Sequence, residues 1–300
     1  MGSGKDNSVI TIDCHYLKPR FAAAFLLIEN GRAIFIENNT SHALPHLLNS
    51  LDSQKIAREN VDYLIVTHAH LDHAGGTSTL LQHCPNARVL AHPKAAKTLS
   101  NPDRLIQSAR KVYGDETFTK LYGEVAPIPQ SKIRAVQDGE ILNWGTRALN
   151  FFYTLGHASH HVCIYDSKSA GVFTGDAFGL CYPDLQARGL FIFPSTSPID
   201  YDPVEAKNSV KKILSFHPKR LFLTHFGEVS DVAGAYTNFV NNLDIHEAQF
   251  RWAKEHLELG PKLASQIQEN LKKTYGFHQD YLSLDIELNA KGIAYTAAKL

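Results

Sequence analysis

Four side chains of metal-binding type lie within six residues of one another. They form the segment His68-Ala-His70-Leu-Asp72-His73, which follows an apolar run and precedes two glycines. In an extended segment, residues two apart point to the same side, so His68 and His70 can bind one cation together. Where the chain turns into a helix, Asp72 and His73 change direction and can face a second cation. This segment is therefore predicted to supply parts of two adjacent metal sites.

Three further segments place a metal-type side chain just after an apolar run. His157 follows such a run and a glycine, whereas Asp176 and His225 come at the ends of two later runs. In layered α/β folds, functional sites are built where strands end. The alternative is a polar loop in which the histidines have no shared function. This alternative is less favoured, because metal-type residues follow four separate predicted strands. His160 and His161 are expected to support His157 rather than to bind metal.

The ligand types predict the chemistry of this site. Imidazole and carboxylate suit two divalent cations, with zinc as the first expectation and iron or manganese as alternatives. Two such cations about 3.5–4 Å apart can share a water molecule and lower its pKa from about 15.7 towards about 7. The hydroxide then attacks an electrophilic carbonyl or phosphoryl centre, and a metal stabilises the developing oxyanion. We expect Asp72 to take part in catalysis by carrying the proton to the leaving group.

The elements that must position these side chains follow from the hydrophobic pattern. Short apolar runs bounded by turn residues predict strands at 9–12, 22–28, 33–36, 63–66, 88–91, 148–153, 161–165, 171–174 and 221–224. Asn30-Gly31 predicts a hairpin between the second and third of these strands. Helices are predicted at 43–51, 76–83, 93–99, 102–113 and 202–216. Sheets flanked by helices form an α/β layered fold.

The pattern becomes helical after residue 231. Apolar residues recur at helical spacing on both sides of Gly260-Pro261, at Tyr236, Phe239, Val240, Leu243, Leu263, Ile267 and Leu271. A third helix is predicted at 284–299. We therefore expect a catalytic domain over residues 1–230 and a helical C-terminal domain over residues 231–300.

The composition is that of an ordinary globular protein. Of 300 residues, 44% are hydrophobic and 20% are charged, and 30 basic side chains balance 30 acidic ones. Zero net charge gives no electrostatic attraction to nucleic acid or to an anionic membrane, so neither is expected as a partner. No apolar run approaches the roughly 18 residues of a membrane span, and the polar start offers no export signal. With four scattered cysteines, we expect a cytoplasmic protein that acts on a small molecule.

The order of the ligands resembles the metallo-β-lactamase superfamily. The resemblance covers about residues 1–230 and rests on His-x-His-x-Asp-His followed by a histidine, an aspartate and a histidine. It implies a four-layered αβ/βα sandwich with the site in a groove at one edge of two β-sheets, here followed by a helical extension. It also implies one metal held by His68, His70 and His157, and a second held by Asp72, His73 and His225, with Asp176 bridging the two.

Two local features bear on the site. Members of the superfamily usually read Asp-Thr-Gly where this chain reads Glu37-Asn38-Asn39. Asn39 can take the left-handed backbone conformation that glycine takes. Glu37 adds a methylene to a carboxylate that supports a ligand, which we expect to alter metal affinity. Gly75-Gly76 is predicted to let backbone N–H groups at a helix start approach a bound anion.

The substrate class is narrowed by what the sequence lacks. Nucleases that resemble this site usually have a basic surface or an inserted domain, secreted β-lactamases need an export signal, and persulfide dioxygenases use a single iron. Flavodiiron proteins replace a histidine of the motif with glutamate, whereas His70 is intact here. Hydrolysis of a small ester, thioester or lactone remains. Lactonases of this type carry a tyrosine where Gly179 lies, and glyoxalase-II-type thioesterases continue with a glycine-rich stretch that this chain lacks.

Residues 180–198 are predicted to form the substrate-binding loop. Tyr182, Phe191 and Phe193 offer an apolar wall downstream of the bridging aspartate, and Arg188 offers a cation for an anionic end of the substrate. Alternatively, Phe191 and Phe193 pack in the core, because alternating aromatic residues are common there. The helical C-terminal residues either cover this groove or form a homodimer interface.

Two other functions fit the same ligand set. One is a metal-containing sensor or ligand-binding protein of the same fold with little turnover, and the other is a di-iron oxidase-like activity. Binding alone would not require an intact Asp176 and His225. The preferred prediction is therefore a dinuclear metal-dependent hydrolase.

Overall fold

Two six-stranded sheets face each other in the residues that the computed structural model describes, which are 9–196, 200–276 and 281–299. The first sheet contains, in this order, β1 (Val9–Asp13), β2 (Ala23–Glu29), β3 (Arg32–Ile36), β4 (Val61–Ile65), β5 (Arg88–Ala91) and β6 (Ile133–Ala135). Strands β1 to β3 pair antiparallel, and β3 to β6 pair parallel.

The second sheet follows the order of the chain as well. It contains β7 (Ile141–Trp144), β8 (Arg147–Tyr153), β9 (Val162–Asp166), β10 (Gly171–Gly175), β11 (Arg220–Leu223) and β12 (Gly227–Val229). All neighbours pair antiparallel except β10 and β11. The rings of Phe25, Phe173 and Phe222 meet between the two sheets, with centroids 4.6–5.6 Å apart. Burial of these aromatic side chains holds the two sheets together.

Helices cover the outer faces of both sheets. The first sheet carries α1 (Leu44–Ser53), α3 (Thr77–His83) and α4 (Pro93–Ser100), while the second carries α7 (Pro203–Leu214) and α8 (Val232–Glu255). Three further helices, α2 (Leu71–Ala74), α5 (Asp103–Tyr113) and α6 (Asp115–Tyr122), share a small, partly aromatic cluster near the end of β4. The four layers confirm the predicted αβ/βα sandwich.

The C-terminal helices pack on the chain that follows β10. Besides α8, they are α9 (Leu263–Tyr275) and α10 (Ser283–Lys299), and their buried side chains form one cluster with Leu180, Tyr182 and Phe193. The sequence-based boundary between residues 230 and 231 stays a prediction. None of the helices in the described part of the chain is long and apolar enough to cross a membrane.

Most of the predicted elements are present. All nine predicted strands occur with ends displaced by at most two residues, and so do the five helices predicted before residue 231. Asn30 and Gly31 both have positive φ, at 51° and 74°, and join paired residues of β2 and β3, which confirms the predicted hairpin. The pattern missed β6, β7, β12 and α6, whereas the turn into a helix expected at Asp72 and His73 corresponds to α2. The three missed strands have three or four residues each, too few for a periodicity to stand out.

Candidate metal centre

Both sheets contribute to one cluster of histidine and aspartate side chains. His68, His70, Asp72 and His73 lie on the segment that leaves β4 and enters α2, where His70 is the residue before the helix. His157, Asp176 and His225 follow β8, β10 and β11. The structure thus brings all seven predicted ligands together at one edge of the sandwich.

Three imidazole nitrogens converge in the first part of the cluster. His70 Nδ1 lies 2.9 Å from His68 Nε2 and 3.1 Å from His157 Nε2. Such nitrogens would lie about 3.3 Å apart around a tetrahedral zinc ion with Zn–N bonds of about 2.0–2.1 Å. The opposite nitrogens are held in place, since His157 Nδ1 donates to the carbonyl oxygen of Ser195 at 3.0 Å and His68 Nδ1 lies 3.0 Å from Thr67 Oγ1. This leaves the converging nitrogens free to bind a cation.

The second part contains Asp72, His73 and His225. Asp72 Oδ2 lies 3.4 Å from His225 Nε2 and 3.8 Å from His73 Nε2. The far nitrogens are again engaged, because His73 Nδ1 donates to Glu37 Oε2 at 3.0 Å and His225 Nδ1 donates to the carbonyl oxygen of Phe21 at 2.9 Å. A hydrogen bond at the far nitrogen sets the tautomer and orientation of a metal-binding histidine.

Asp176 lies between the two parts. Its Oδ1 is 3.2 Å from His73 Nε2 and 3.7 Å from His225 Nε2, and its Oδ2 is 3.4 Å from His157 Nε2. One carboxylate therefore reaches both groups of three side chains. This is the position that a bridging ligand requires.

The donor set fits divalent cations. Among the described residues, His73 Nε2 and Asp176 Oδ1 are buried without a hydrogen-bond partner. A buried polar atom without a partner is costly, and a cation between these atoms removes that cost. Nitrogen and oxygen donors in this mixture suit zinc, iron and manganese alike.

The electrostatics keep His68, His70 and Asp176 in forms that can bind a cation, whereas His73 holds a proton that a cation would displace. Burial and the neighbouring imidazoles lower the pKa of His68 and of His70 well below the usual range, so both rings are neutral at pH 7. Burial alone would raise the pKa of Asp176, but His73 and His157 hold that pKa well below its usual range. Burial would lower the pKa of His73, yet Asp176, Glu37 and Asp72 raise it well above the usual range. A bound divalent cation would replace the proton on His73 as the charge that balances these carboxylates.

The loop after β3 supports the histidine motif. Glu37 Oε1 accepts the backbone N–H of Thr67 at 3.0 Å, so the longer side chain connects β3, β4 and His73. Asn39 has φ of 51°, which confirms the predicted left-handed conformation, and its side chain donates to the carbonyl oxygen of Asp72. Glu37 has φ of 64°, which the sequence did not indicate.

The glycine pair serves packing rather than anion binding. Gly75 N–H donates to Leu71 O at 2.9 Å and Gly76 N–H donates to Asn39 O at 2.7 Å. A Cβ atom on Gly76 would lie 2.4 Å from the carbonyl oxygen of Thr40. The prediction of an anion site here is wrong, because both N–H groups are used within the protein and glycine is needed for the close approach of two backbones.

His160 and His161 hold the backbone of the site. His161 is fully buried, its Nε2 accepts the N–H of Asp176 at 3.2 Å, and its Nδ1 lies 2.8 Å from Thr154 Oγ1. His160 Nδ1 accepts the N–H of Ala69 at 3.3 Å. Neither belongs to a group of metal-type ligands in the described part of the chain, in line with the supporting role expected for them.

The four predicted substrate contacts have different surroundings. Tyr182 is only 2% exposed, and its ring lies 5.9 Å from the ring of His225. Phe193 is fully buried, with centroid distances of 5.0 Å to Tyr275 and 5.2 Å to His246. We therefore correct the prediction for Phe193, since the C-terminal helices enclose its ring and it packs in the core.

The other two residues lie farther out on the loop. Phe191 is half-buried, with its ring 5.9 Å from that of Tyr275, and Arg188 is exposed. Part of the predicted loop, residues 197 and 198, lies outside the described residues. The structure leaves the substrate roles of Tyr182, Arg188 and Phe191 as predictions.

Two residues near the site, Phe21 and Asp285, had no sequence signal and contact the predicted Tyr182. Phe21 stacks on Tyr182 at 4.3 Å, and the hydroxyl of Tyr182 donates to Asp285 Oδ1 of α10 at 3.3 Å. Burial raises the pKa of Asp285 to about 6, although His225 and Tyr182 oppose the shift. These three residues come from segments more than 100 positions apart, so no local motif could join them.

Three tyrosines lie close enough to Asp72 for its charge to affect them. Asp72 is the most accessible ligand carboxylate, with 28% of its side chain exposed. Burial raises the pKa of Tyr16, Tyr113 and Tyr122, and the charge of Asp72 contributes at each phenol. The ring of Tyr122 lies 6.4 Å from that of Tyr16 and 6.0 Å from that of Tyr113.

Comparison with known proteins agrees with this fold and site. The family model described as the metallo-beta-lactamase superfamily matches residues 26–225. The chain belongs to the metallo-β-lactamase superfamily. The metallo-beta-lactamase fold-containing protein ST1585 of Sulfurisphaera tokodaii is 29% identical over 217 residues, which are 71% of this chain and 75% of that protein. Its crystal structure has a TM-score of 0.63, with 26% identity over 80% of this chain and 86% of that chain.

Two relatives carry names that state an activity. The acyl-coenzyme A thioesterase MBLAC2 of Bos taurus is 32% identical over 45% of this chain and 50% of that protein. The hydroxyacylglutathione hydrolase of Francisella tularensis subsp. novicida is 26% identical over 51% of this chain and 45% of that protein. The chain thus spans about half the length of each of these two relatives.

Proposed function

We propose that the protein is a dinuclear metal-dependent hydrolase that acts on a small ester, thioester or lactone. The observation that carries this proposal is the place of Asp176, whose two oxygens reach histidines of both ligand groups at 3.2 Å and 3.4 Å. A carboxylate in this position would be able to contact two cations, as the bridging ligand of a hydrolytic two-metal site does. Zinc is the first candidate for both positions, and iron or manganese would fit the same donors.

The residues of this chain have separate roles in the proposed reaction. His68, His70 and His157 would hold one cation, and Asp72, His73 and His225 would hold the other. When bound, the cations would polarise the scissile carbonyl and make an attacking water available at neutral pH. The side chain of Asp72 is more exposed than that of Asp176, at 28% against 6%, which supports the proposal that Asp72 passes a proton to the leaving group.

The aromatic residues around the cluster support an apolar acyl group as the proposed substrate part. The rings of Tyr16 and Tyr122 lie 6.4 Å apart, and Phe21 stacks on Tyr182, with both of these rings about 6 Å from that of His225. Aromatic surfaces bind apolar groups through buried area and fix their orientation. The names of the two relatives, a thioesterase and a hydroxyacylglutathione hydrolase, support thioesters as the first class to test.

The test is a proton-release assay on zinc-loaded protein with thioesters, lactones, aryl esters and phosphodiesters. Metal content is measured on the same samples, with about two ions per chain expected. We expect one ester-type class to be hydrolysed with kcat/KM above about 10⁴ M⁻¹s⁻¹. Asp176→Asn is the control and should lose both the second ion and turnover. Two bound metals with every class at background would overturn the hydrolase proposal and favour a sensor.

A further inference from the structure

The C-terminal helices are hydrogen-bonded to the segment that supports two metal ligands. We call residues 192–196 the support segment. On its inner side, Ser195 O accepts from His157 Nδ1 at 3.0 Å, and Ser195 Oγ donates to Asp176 Oδ2 at 3.1 Å. Ser195 therefore contacts one ligand of the first cation and the bridging ligand as well.

One asparagine of α10 holds the support segment on both sides of Ser195. Asn289 Nδ2 donates to the carbonyl oxygen of Pro194 at 2.6 Å, and Asn289 Oδ1 accepts the N–H of Thr196 at 2.9 Å. Thr196 Oγ1 also donates to the backbone oxygen of Asn289 at 3.1 Å. Asn289 is only 3% exposed. Its amide thus spans the residues before and after Ser195.

The orientation of this amide is determined by a second buried side chain. Asn289 Nδ2 lies 3.2 Å from His246 Nε2, and His246 Nδ1 donates to the carbonyl oxygen of Asn242 at 2.9 Å. With its proton on Nδ1, His246 accepts at Nε2, so the amide nitrogen of Asn289 must face it. Rotating the amide by 180° would break the bonds to Pro194, Thr196 and His246 at once.

We propose that Asn289 is a positioning residue of the metal centre, acting through Ser195 on His157 and Asp176. If the helices only stabilised the fold, their bonds could fall anywhere along the support segment. The two hydrogen bonds of the Asn289 amide, which we call the clamp, instead flank Ser195, the residue of this segment that contacts both His157 and Asp176. Partners that orient metal ligands typically change metal affinity 10–100-fold when they are removed. This inference rests on the proposed metal centre, and it does not depend on which bond the protein hydrolyses.

The test compares metal binding by three variants with the wild-type protein. Asn289→Asp keeps the size of the side chain and replaces the donating nitrogen with an acceptor that faces Pro194 O. Thr196→Val removes only the hydroxyl bond to Asn289. Asn242→Ala is the matched control, because it breaks a bond from the same helical layer to the support segment at Ile192 and leaves both neighbours of Ser195 bonded to Asn289.

Two readouts separate positioning from general destabilisation. Zinc affinity is measured by competition with a chromophoric chelator, and the visible spectrum of the cobalt-substituted protein reports the geometry around the bound metal. We expect Asn289→Asp to weaken zinc binding at least about tenfold and to shift the cobalt bands. Thr196→Val should move both readouts in the same direction by less, and Asn242→Ala should leave them within about twofold of wild type.

The outcomes are distinguishable. Wild-type affinity and spectra in both Asn289→Asp and Thr196→Val, even with a lowered Tm, would overturn the inference. Should Asn289→Asp fail to fold, an unchanged spectrum of Thr196→Val would overturn it as well. A wild-type protein that binds no zinc would overturn the proposed function and this inference together. Zinc binding without hydrolysis would affect only the proposed function.

Discussion

The protein buries carboxylates in two places and balances their charge in different ways. Where β2 meets β8 and β9, the fully buried Arg147 pairs with Asp166, and its Nε lies 3.5 Å from Glu29 Oε2. Lys168 adds a second cation 2.9 Å from Glu29, and Thr146 Oγ1 donates to the same carboxylate. In this cluster, the chain itself supplies both anions and cations.

Among the described residues, the cluster of proposed metal ligands has carboxylates and imidazoles but no lysine or arginine of its own. Asp72, Asp176 and Glu37 face imidazoles, and their charges raise the pKa of His73, which favours a proton on that ring when no metal is bound. The two regions differ in the source of the positive charge. The carboxylates near Arg147 are balanced by side chains of the protein, whereas the carboxylates near the histidines are best balanced by a cation bound from solution.

The largest effect should come from removing the internal cation. Arg147→Met leaves Asp166 buried without its partner and should lower the free energy of unfolding by about 3–5 kcal/mol. Denaturant unfolding in the presence of a chelator measures this loss. Arg32→Met, which breaks the exposed ion pair with Asp62, is the control and should leave the unfolding midpoint nearly unchanged. A loss below about 1 kcal/mol for Arg147→Met would contradict the comparison, because Arg147 would then not be needed to balance the buried Asp166.

Adding the external cation should have the next largest effect. Zinc at about 100 times its Kd should raise the free energy of unfolding by about 2.7 kcal/mol, because the ligands are assembled only in the folded protein. Thermal unfolding with and without a chelator measures the gain. The gain should shrink in Asp176→Asn and persist in Glu29→Gln, whose substitution lies in the other cluster. Equal gains in both variants would contradict the comparison.

The third prediction concerns the pH dependence of the internally balanced cluster. Burial would raise the pKa of Glu29, but its bonds with Thr146 and Lys168 lower that pKa from 4.5 to about 2. Because the folded-state pKa is depressed, the contribution to stability is present above pH 4.5 and is lost as the pH falls towards about 2.

We expect Glu29→Gln to be less stable than wild type by about 2 kcal/mol at pH 6, after an allowance for solvent screening. The gap should narrow as the pH falls below 4.5. Urea unfolding of metal-free protein between pH 6 and pH 3 measures it. A gap that stays constant over this range would assign the loss to packing rather than charge.

The smallest expected effect has the opposite sign and lies beside the metal centre. Burial raises the pKa of Asp285 from 3.8 to about 6, so ionisation of this group opposes folding as the pH rises through that range. Asp285→Asn should therefore stabilise the metal-free protein by about 1 kcal/mol above pH 6, allowing for the part of the side chain that solvent reaches. The difference should vanish below about pH 4. Tyr182→Phe, which removes the donor to Asp285, is expected not to stabilise, and a stabilised Tyr182→Phe would point to packing instead.

Much of the fold and all the proposed ligands could be predicted from the sequence, because both depend on local features of the chain. Strand length, the Asn30-Gly31 turn and the spacing of His68 and His70 are local properties of the chain, and local geometry follows from residue order. The ligands that lie far apart, such as His157 and His225, could be proposed because each follows a strand that local pattern also identifies.

What the sequence did not indicate depends on contacts between distant segments. Asp285 and Tyr16 approach the cluster only through the packing of α10 and of the chain after β1. Phe193 lies in an alternating aromatic stretch, and alternation does not say which side the C-terminal helices will cover. The buried Arg147 is likewise visible only once β2 meets β8, since charge alone suggests an exposed residue.

The clamp made by Asn289 has a consequence for how the protein is made. The last of the proposed metal ligands is His225, whereas Asn289, which completes the support of His157 and Asp176, lies in α10. A ribosome adds about 5–20 residues per second, so every ligand has been synthesised several seconds before Asn289. During that interval, the emerging chain holds its full set of ligands without their final alignment. Tight metal capture would thus come at the end of synthesis, after the helices have closed over the support segment.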